Sequence, residues 1–316
     1  MSVDEELLAV KAAELYYVED KTQQEIGDLL KLTRWKVGRL LALAKERGFI
    51  RFEIVHPRAR RLPLERQLRE VFGLKDAVVV PDSGLDDSDD LQGRVTLAAA
   101  EYLTSLRPIP RTLGISWGRT LHDVAAQLPD GWANGVNVVQ LNGGVSLNRH
   151  ASSAAATAVT IANKAGGTTT LLPSPAILEH AATREAIESD RTVASVLEAG
   201  RNASAFLFSA GVVDGSSVLV HSGYLTLEGV AALVRKGAVG DVLGRYIDAD
   251  GNIVDPGLNY RTLGLELDCL RKAKVAIAVI AGPAKNDVCR TVVTSGLCTV
   301  LVTNESCAEY LLGTNR

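Results

Sequence analysis

From Ala77 onward, short β-rich apolar runs alternate with helical stretches, and this rhythm limits the possible folds more than any other feature of the chain. The runs are Ala77–Val80, Thr112–Ile115, Val136–Leu141, Thr168–Leu172, Ala205–Phe208, Val275–Ile280 and Thr299–Val302. Helical patterns such as Leu91–Leu106, Ser152–Lys164 and Lys285–Ser295 separate them. Strands that are apolar on both faces belong to a parallel sheet covered on both sides by its crossover helices. The spacing therefore predicts an α/β, doubly wound parallel-sheet domain. Glycine-rich loops follow the strands: Gly114–Gly118, Asn142-Gly143-Gly144, Ala210-Gly211 and Ala281-Gly282. In open α/β sheets the crevice beyond the carboxyl ends of the strands is where ligands bind. The acidic stretch Asp82–Asp90 reads as a loop.

The first fifty residues have a different grammar. Leu7, Leu8, Lys11, Ala12, Leu15 and Tyr16 repeat at helical spacing. Thr22-Gln23-Gln24-Glu25 is a capping box that opens a second helix, about Gln23 to Leu30, expected to bury Ile26, Leu29 and Leu30. Lys31 and Leu32 lead to Thr33, a second cap, and a third helix from Arg34 to about Arg47 with Val37, Leu40, Leu41 and Ala44 on its inner side. Gly48 ends it, and Phe49–Val55 alternates as a strand would. His56-Pro57-Arg58-Ala59-Arg60-Arg61-Leu62-Pro63 is a proline-bounded basic linker, followed by a short amphipathic helix marked by Leu64, Leu68, Val71 and Phe72. The expected domains are 1–56, a linker with a short helix at 57–74, and 75–316.

Charge sharpens the reading of the small domain. The chain has a net charge of −3, yet residues 34–61 hold nine Lys/Arg against Glu46 and Glu53 alone. A local basic patch on an acidic protein fits a polyanionic partner, either nucleic acid or an anionic membrane surface. Two short helices joined by a tight turn, the second capped and basic, form a helix-turn-helix, whose second helix enters the major groove of DNA. Arg34, Trp35, Lys36 and Arg39 lie opposite Val37, Leu40 and Leu41. An Arg can bond bidentately to guanine. Trp35 suits a thymine methyl or the sugar backbone, or else covers the small core. Thr22, Gln23 and Arg51 are placed for phosphates, which set register without reading sequence, and the second cap, Thr33, belongs to the expected DNA-binding set. A protein-docking module is the alternative for the whole triplet.

Gly114-Ile115-Ser116-Trp117-Gly118-Arg119-Thr120 closes an apolar strand and opens a helix near Arg119. Glycine-exposed amides at a helix N-terminus, with a hydroxyl and an arginine, make a phosphate cradle. The same letters match the G-x-S-x-G turn of serine hydrolases, which need a late catalytic histidine. No histidine follows His221, and His150, His180 and His221 have no evident acid partner. Lys285, at another strand end, is a second anion anchor. Gln140 and Asn142 can bond sugar hydroxyls, Gly211 ends another strand, and Asp241 sits on a glycine-loosened loop. Asp241 reads either as a polyol acceptor or as a helix cap or loop ion pair, and Arg245 either as a phosphate ligand or as a surface charge.

Several classes fall away. Cys269, Cys289, Cys298 and Cys307 show no CxxC spacing and have no histidine after them, so reduced thiols rather than a zinc site are expected, and no metal or cofactor. No apolar run reaches the roughly 18 residues of a membrane span, and the acidic start lacks the charge order of a secretory signal, so a cytoplasmic location is expected.

Taken together, the chain resembles the SorC/DeoR-type family of sugar-binding bacterial transcriptional regulators. The resemblance rests on Thr22–Ile26, Val37–Gly48, Gly114–Thr120, Gln140–Gly144, Leu172-Pro173-Ser174-Pro175, Gly237–Asp248, Ala281–Lys285 and Leu301-Val302-Thr303, in that order. It implies a winged helix-turn-helix, an effector domain similar to sugar-phosphate isomerases, and homodimers or homotetramers on palindromic double-stranded operators. It also implies a phosphorylated sugar or polyol effector, with phosphate on Gly118, Arg119, Thr120 and Lys285 and hydroxyls on Gln140, Gly143, Gly144 and Asp241. Ser116, Trp117, Asn142 and Gly211 complete the expected site. Lys31 replaces a frequent glycine in the turn, Trp35 a smaller residue, and Asn304 a frequent aspartate. Asn142 stands where an imine-forming lysine would be needed.

The leading reading is ligand-controlled DNA binding without catalysis. The rival is a sugar-phosphate isomerase or deaminase with an appended DNA-binding module, in which Asp241, Glu266 and Asp268 supply acid and base groups. A scaffold without ligand is the third.

Overall fold

In the computed structural model, the described residues are 3–50, 56, 58–82, 88–144 and 154–313. The chain divides into two compact units, Met1–Val55 and His56–Arg316.

The small unit consists of α1 (Val3–Tyr17), α2 (Gln23–Leu30) and α3 (Arg34–Glu46). Its core joins Ala9, Ala12 and Ala13 of α1 to Ile26, Val37, Leu40, Leu41 and Ala44. Thr22 and Glu25 form the reciprocal capping box, the Thr22 N–H donating to Glu25 at 2.8 Å and the Glu25 N–H to the threonine hydroxyl at 3.3 Å. Thr33 caps α3 through the Lys36 N–H. Between the helices Lys31 takes a left-handed conformation at φ 55°. Gly27 is required there, since a Cβ would stand 2.7 Å from the Leu32 carbonyl oxygen. Leu29, expected inside, is 58% exposed: the α2 stripe is narrow, and Ile26 alone faces the core fully. Phe49 and Ile50 form a bend, not the start of a strand, and the rest of the expected strand, with Arg51, lies outside the described residues.

The large unit begins with α4 (Leu62–Phe72), β1 (Asp76–Val80), α5 (Ser88–Ser105), β2 (Thr112–Ile115), α6 (Arg119–Gln127), β3 (Asn137–Gln140), α7 (Ala154–Lys164) and β4 (Thr168–Thr170). It continues through α8 (Ala181–Ser189), α9 (Arg191–Arg201), β5 (Ala205–Phe208), β6 (Ala210–Gly211), α10 (Val218–His221), α11 (Leu227–Arg235), β7 (Gly240–Val242) and β8 (Arg245–Ile247). Last come α12 (Pro256–Arg261), α13 (Leu267–Arg271), β9 (Ala276–Val279), a 3₁₀ turn (Pro283–Lys285), α14 (Asn286–Thr294), β10 (Val300–Asn304) and α15 (Glu305–Leu312).

Seven strands pair in parallel in the order β1-β10-β9-β5-β2-β3-β4. Alternate residues of each strand enter different cores, as the pleat requires. Val78, Val80, Leu113, Ile115, Leu207 and Val302 pack with α5, α6 and α7. Ala77, Val79, Phe206, Phe208 and Leu301 pack against residues of α4, α13, α14 and α15. Helices on both faces explain why these strands are apolar throughout. The antiparallel ribbon β6-β7-β8 stands apart from the sheet.

Two expectations need correction. The acidic stretch is not all loop: Ser88–Asp90 start α5, where Asp89 and Asp90 complement the helix dipole, while residues 83–87 lie outside the described residues. The helix expected within a linker is a core element. Leu68 of α4 is fully buried, and Glu65 accepts the Val79 N–H at 2.9 Å and a two-pronged bond from Arg60 at 2.7 and 2.8 Å.

Candidate functional site

Three neighbouring strands, β9, β5 and β2, end on one cavity of about 1000 Å³. Just past β2 lie Ser116, Trp117 and Gly118, and α6 adds Arg119, Thr120 and His122. Past β5 lie Ser209, Ala210, Gly211, Val212 and Asp214, and past β9 the turn from Ala281 to Lys285. The ribbon supplies Asp241, Leu243 and Gly244, while Leu91 and Gln92 of α5 and Val218 and His221 of α10 complete the wall.

Gly118 is the N-cap of α6, at φ 131°, where side chains are rarely tolerated, and no side chain caps the helix. The His122 N–H makes the first intrahelical bond, to Gly118, so the amides of residues 119–121 have no partner within the helix. Gly282, at φ 90°, opens the 3₁₀ turn in the same uncapped way. The second turn offers fewer amides, since Pro283 has none and the Lys285 N–H bonds the Gly282 carbonyl, but the two helix starts bring Arg119 and Lys285 to one space.

Electrostatics in the cavity are tense. Burial raises the Asp241 carboxyl to about 6, against the pull of the Gly244 N–H, which donates to it at 3.0 Å, and of Lys285. Burial lowers the Lys285 ammonium, Asp241 opposing that shift and Arg119 adding to it. Gly211 makes room for this carboxylate, because a Cβ there would collide with Asp241. Trp117 and Ser209 line the cavity, and their Nε1 and Oγ are buried without a hydrogen-bond partner among the described residues, an arrangement that costs about 1–3 kcal/mol per group.

Of the residues expected from sequence, Ser116, Trp117, Gly118, Arg119, Thr120, Gly211, Asp241 and Lys285 come together here. Gln140, Asn142, Gly143 and Gly144 do not line the cavity. β3 is one strand further out, so its end meets other segments: Gln140 donates to the Asn142 carbonyl at 2.8 Å, Gly143 to Leu263 and Gly144 to Ser174. The Asn142 amide is buried and has no hydrogen-bond partner among the described residues. Arg245 is neither surface charge nor cavity ligand; it is buried and donates to the carbonyls of Leu265 and Gly264. Glu266 pairs with Arg201 and Asp268 with Arg271, both away from the cavity wall. Ser209, His122, His221 and Asp214 were missed; Ser209 alone carried a signal, as the residue directly after β5.

On the small unit Arg34, Trp35, Lys36 and Arg39 form an exposed basic face along α3. Trp35 is 76% exposed, which removes the reading that it covers the core, and the Arg39 guanidinium lies over its ring at 5.8 Å. Thr22, Gln23 and Arg34 border an open groove with Tyr16, Tyr17 and Lys21. Among the described residues no cluster of three His, Cys, Asp or Glu could hold a metal, and no helix is long and apolar enough to cross a membrane. Cys289, Cys298 and Cys307 are buried free thiols.

Residues 56–313 match the family model described as "Putative sugar-binding domain". The chain is 33% identical to the deoxyribonucleoside regulator of Bacillus subtilis over 99% of both chains. It is 30% identical to the erythritol catabolism regulatory protein EryD of Brucella abortus, over 99% of this chain and 98% of that one. The crystal structure of the full-length sorbitol operon regulator SorC from Klebsiella pneumoniae superposes with a TM-score of 0.74 at 28% identity, covering 97% of this chain and 98% of that chain. With a sheet, a cavity and an end-to-end likeness of this kind, the chain belongs to the SorC/DeoR-type family of sugar-binding transcriptional regulators.

Proposed function

We propose that the protein is a sequence-specific DNA-binding transcriptional regulator whose operator binding is controlled by a phosphorylated sugar or polyol held in the large unit. One observation carries the reading: uncapped turns bearing Arg119 and Lys285 meet in a single cavity that also holds a buried acceptor, Asp241. The phosphoryl group takes the α6 amides, Arg119 and Lys285; sugar hydroxyls take Asp241. α2 and α3 act as the helix-turn-helix, with Arg34, Trp35, Lys36 and Arg39 toward the major groove and Thr22, Gln23 and Thr33 toward phosphates. The deoxyribonucleoside, erythritol and sorbitol named for the relatives point to pentose and polyol phosphates as the first compounds to try. Operators read by two-fold symmetric oligomers follow from the same reading, as does a cytoplasmic location.

The test is a thermal-shift screen of pentose and polyol phosphates beside their unphosphorylated forms, followed by fluorescence anisotropy on an operator selected from random DNA. Stabilisation by phosphorylated forms alone, with a change in operator affinity, is expected. No stabilisation by any phosphate means a scaffold instead. The raised Asp241 carboxyl favours a second reading, an isomerase-like enzyme using it as general acid or base. With Glu266 and Asp268 outside the cavity, Asp241 has no carboxylate partner among the expected residues, and product formation from a stabilising compound would establish that reading.

A further inference from the structure

Asn304 ends β10 at the N-cap position of α15, where an Asn ordinarily bonds the helix's own second or third amide. This one makes no cap bond. It is wholly buried, and its Oδ1 accepts the Gly282 N–H at 3.0 Å, in the turn that carries Lys285. Its Nδ2 donates to both oxygens of Asp82, at 2.8 and 3.1 Å. Asp82, just past β1, supplies the missing cap by accepting the Ser306 N–H at 2.8 Å. Glu305 extends the series: one carboxylate oxygen accepts the Asp82 N–H at 3.4 Å, and the other accepts Arg61 Nε at 2.6 Å. Arg61 belongs to the segment by which the chain enters the large unit after His56, and its N–H is fixed to the Val79 carbonyl at 2.8 Å.

We propose that Asn304 is a positioning residue that holds the Gly282–Lys285 turn and, through Asp82 and Glu305, ties that turn to Arg61. The inference rests on the reading of the cavity as an anion site. A phosphoryl group on the turn loads one end of the tie, and the other end is the chain's entry into the large unit. The bonds are part-buried, and the one at the wholly buried Asn304 holds or breaks, because an unpaired buried amide is costly. The amide is essential. A carboxylate at 304 would still accept the Gly282 N–H, but it would face the Asp82 carboxylate without a proton between them, and two carboxylates at one site resist joint ionisation.

Hydrogen exchange on the full-length, ligand-free protein reads both ends. Asn304→Asp should raise exchange at residues 281–285 and at 58–61 by about tenfold. The exchanged pair Asn304→Asp with Asp82→Asn puts the amide on the other side and should return both segments to parental rates. Arg61→Ala, at a partly exposed position, should also raise exchange at 281–285. An unchanged turn in Arg61→Ala overturns the tie, and an unchanged turn in Asn304→Asp, or no rescue by the exchanged pair, overturns the positioning role. Inorganic phosphate added to the parent is the separate arm: it should slow exchange at 118–121 and 281–285. Absence of that protection counts against the anion site, while the tie is judged by the substitutions alone.

Discussion

At the scale of single residues, Asp241 and Arg119 carry the sharpest consequences. Asp241 holds its proton up to about pH 6, while the unfolded chain releases it in the ordinary carboxylate range. The native state therefore binds this proton more tightly. Its contribution to stability is greatest below the ordinary range, falls as pH rises toward 6, and is constant beyond that. Asp241→Asn removes the fall. In urea unfolding of the ligand-free protein, the variant should gain about 1–3 kcal/mol over the parent between pH 4 and pH 7; a difference independent of pH would show that Asp241 ionises normally. Arg119→Ala should leave the fold intact and weaken a phosphorylated effector about 10- to 100-fold in calorimetry, the loss of a charge-assisted contact, with little effect on an unphosphorylated analogue. Arg119 and Lys285 were legible because each follows a glycine at the end of an apolar strand. Gln140 and Asn142 also stand at an apolar strand's end, just before glycines, yet the order β9-β5-β2-β3 sets them one strand away from the cavity. Strand order is a property of long-range pairing, which no local spacing encodes.

Elements were most legible where a local device fixes them. The capping box at Thr22, the cap at Thr33 and the stripe Val37, Leu40, Leu41 and Ala44 all stand where spacing put them. Local signals failed where packing decides: α4 reads as a linker helix until β1 and α15 are there to cover Leu68, and Leu29 reads as core until α1 leaves it uncovered. The turn between α2 and α3 keeps a mark of its own. Lys31 occupies a left-handed conformation that costs a side-chain-bearing residue about 1 kcal/mol. Lys31→Gly should therefore raise the stability of the small unit by up to about 1 kcal/mol, read as a higher urea midpoint. The same variant should bind DNA less tightly, since it also removes a positive charge beside Thr33. On α3 the exposed Trp35 separates reading from folding. Trp35→Ala should change stability by no more than about 0.5 kcal/mol and yet lower operator affinity, with the preferred base altered at one position.

At the scale of the whole molecule, the proposed function requires that two units exchange free energy, and this can be tested without knowing how they are arranged. An effector shifts an operator equilibrium only as far as it distinguishes the two protein states; equal affinity for both shifts nothing, however tight the binding. Coupling is also reciprocal. If a sugar phosphate weakens operator binding by some factor, typically about 5- to 150-fold, operator DNA must weaken the sugar phosphate by that same factor. The affinity for DNA alone should fall steeply with salt, since Arg34, Lys36 and Arg39 displace counterions from phosphates, whereas the effector affinity should respond to salt far less. Measured at one fixed salt concentration, anisotropy with and without effector gives the first factor, and calorimetry with and without operator gives the second. Equal factors above unity mean that cavity and helix face belong to one switch. Unequal factors mean that anisotropy and calorimetry follow different binding events, and factors of one mean that the large unit binds its ligand without informing the small one.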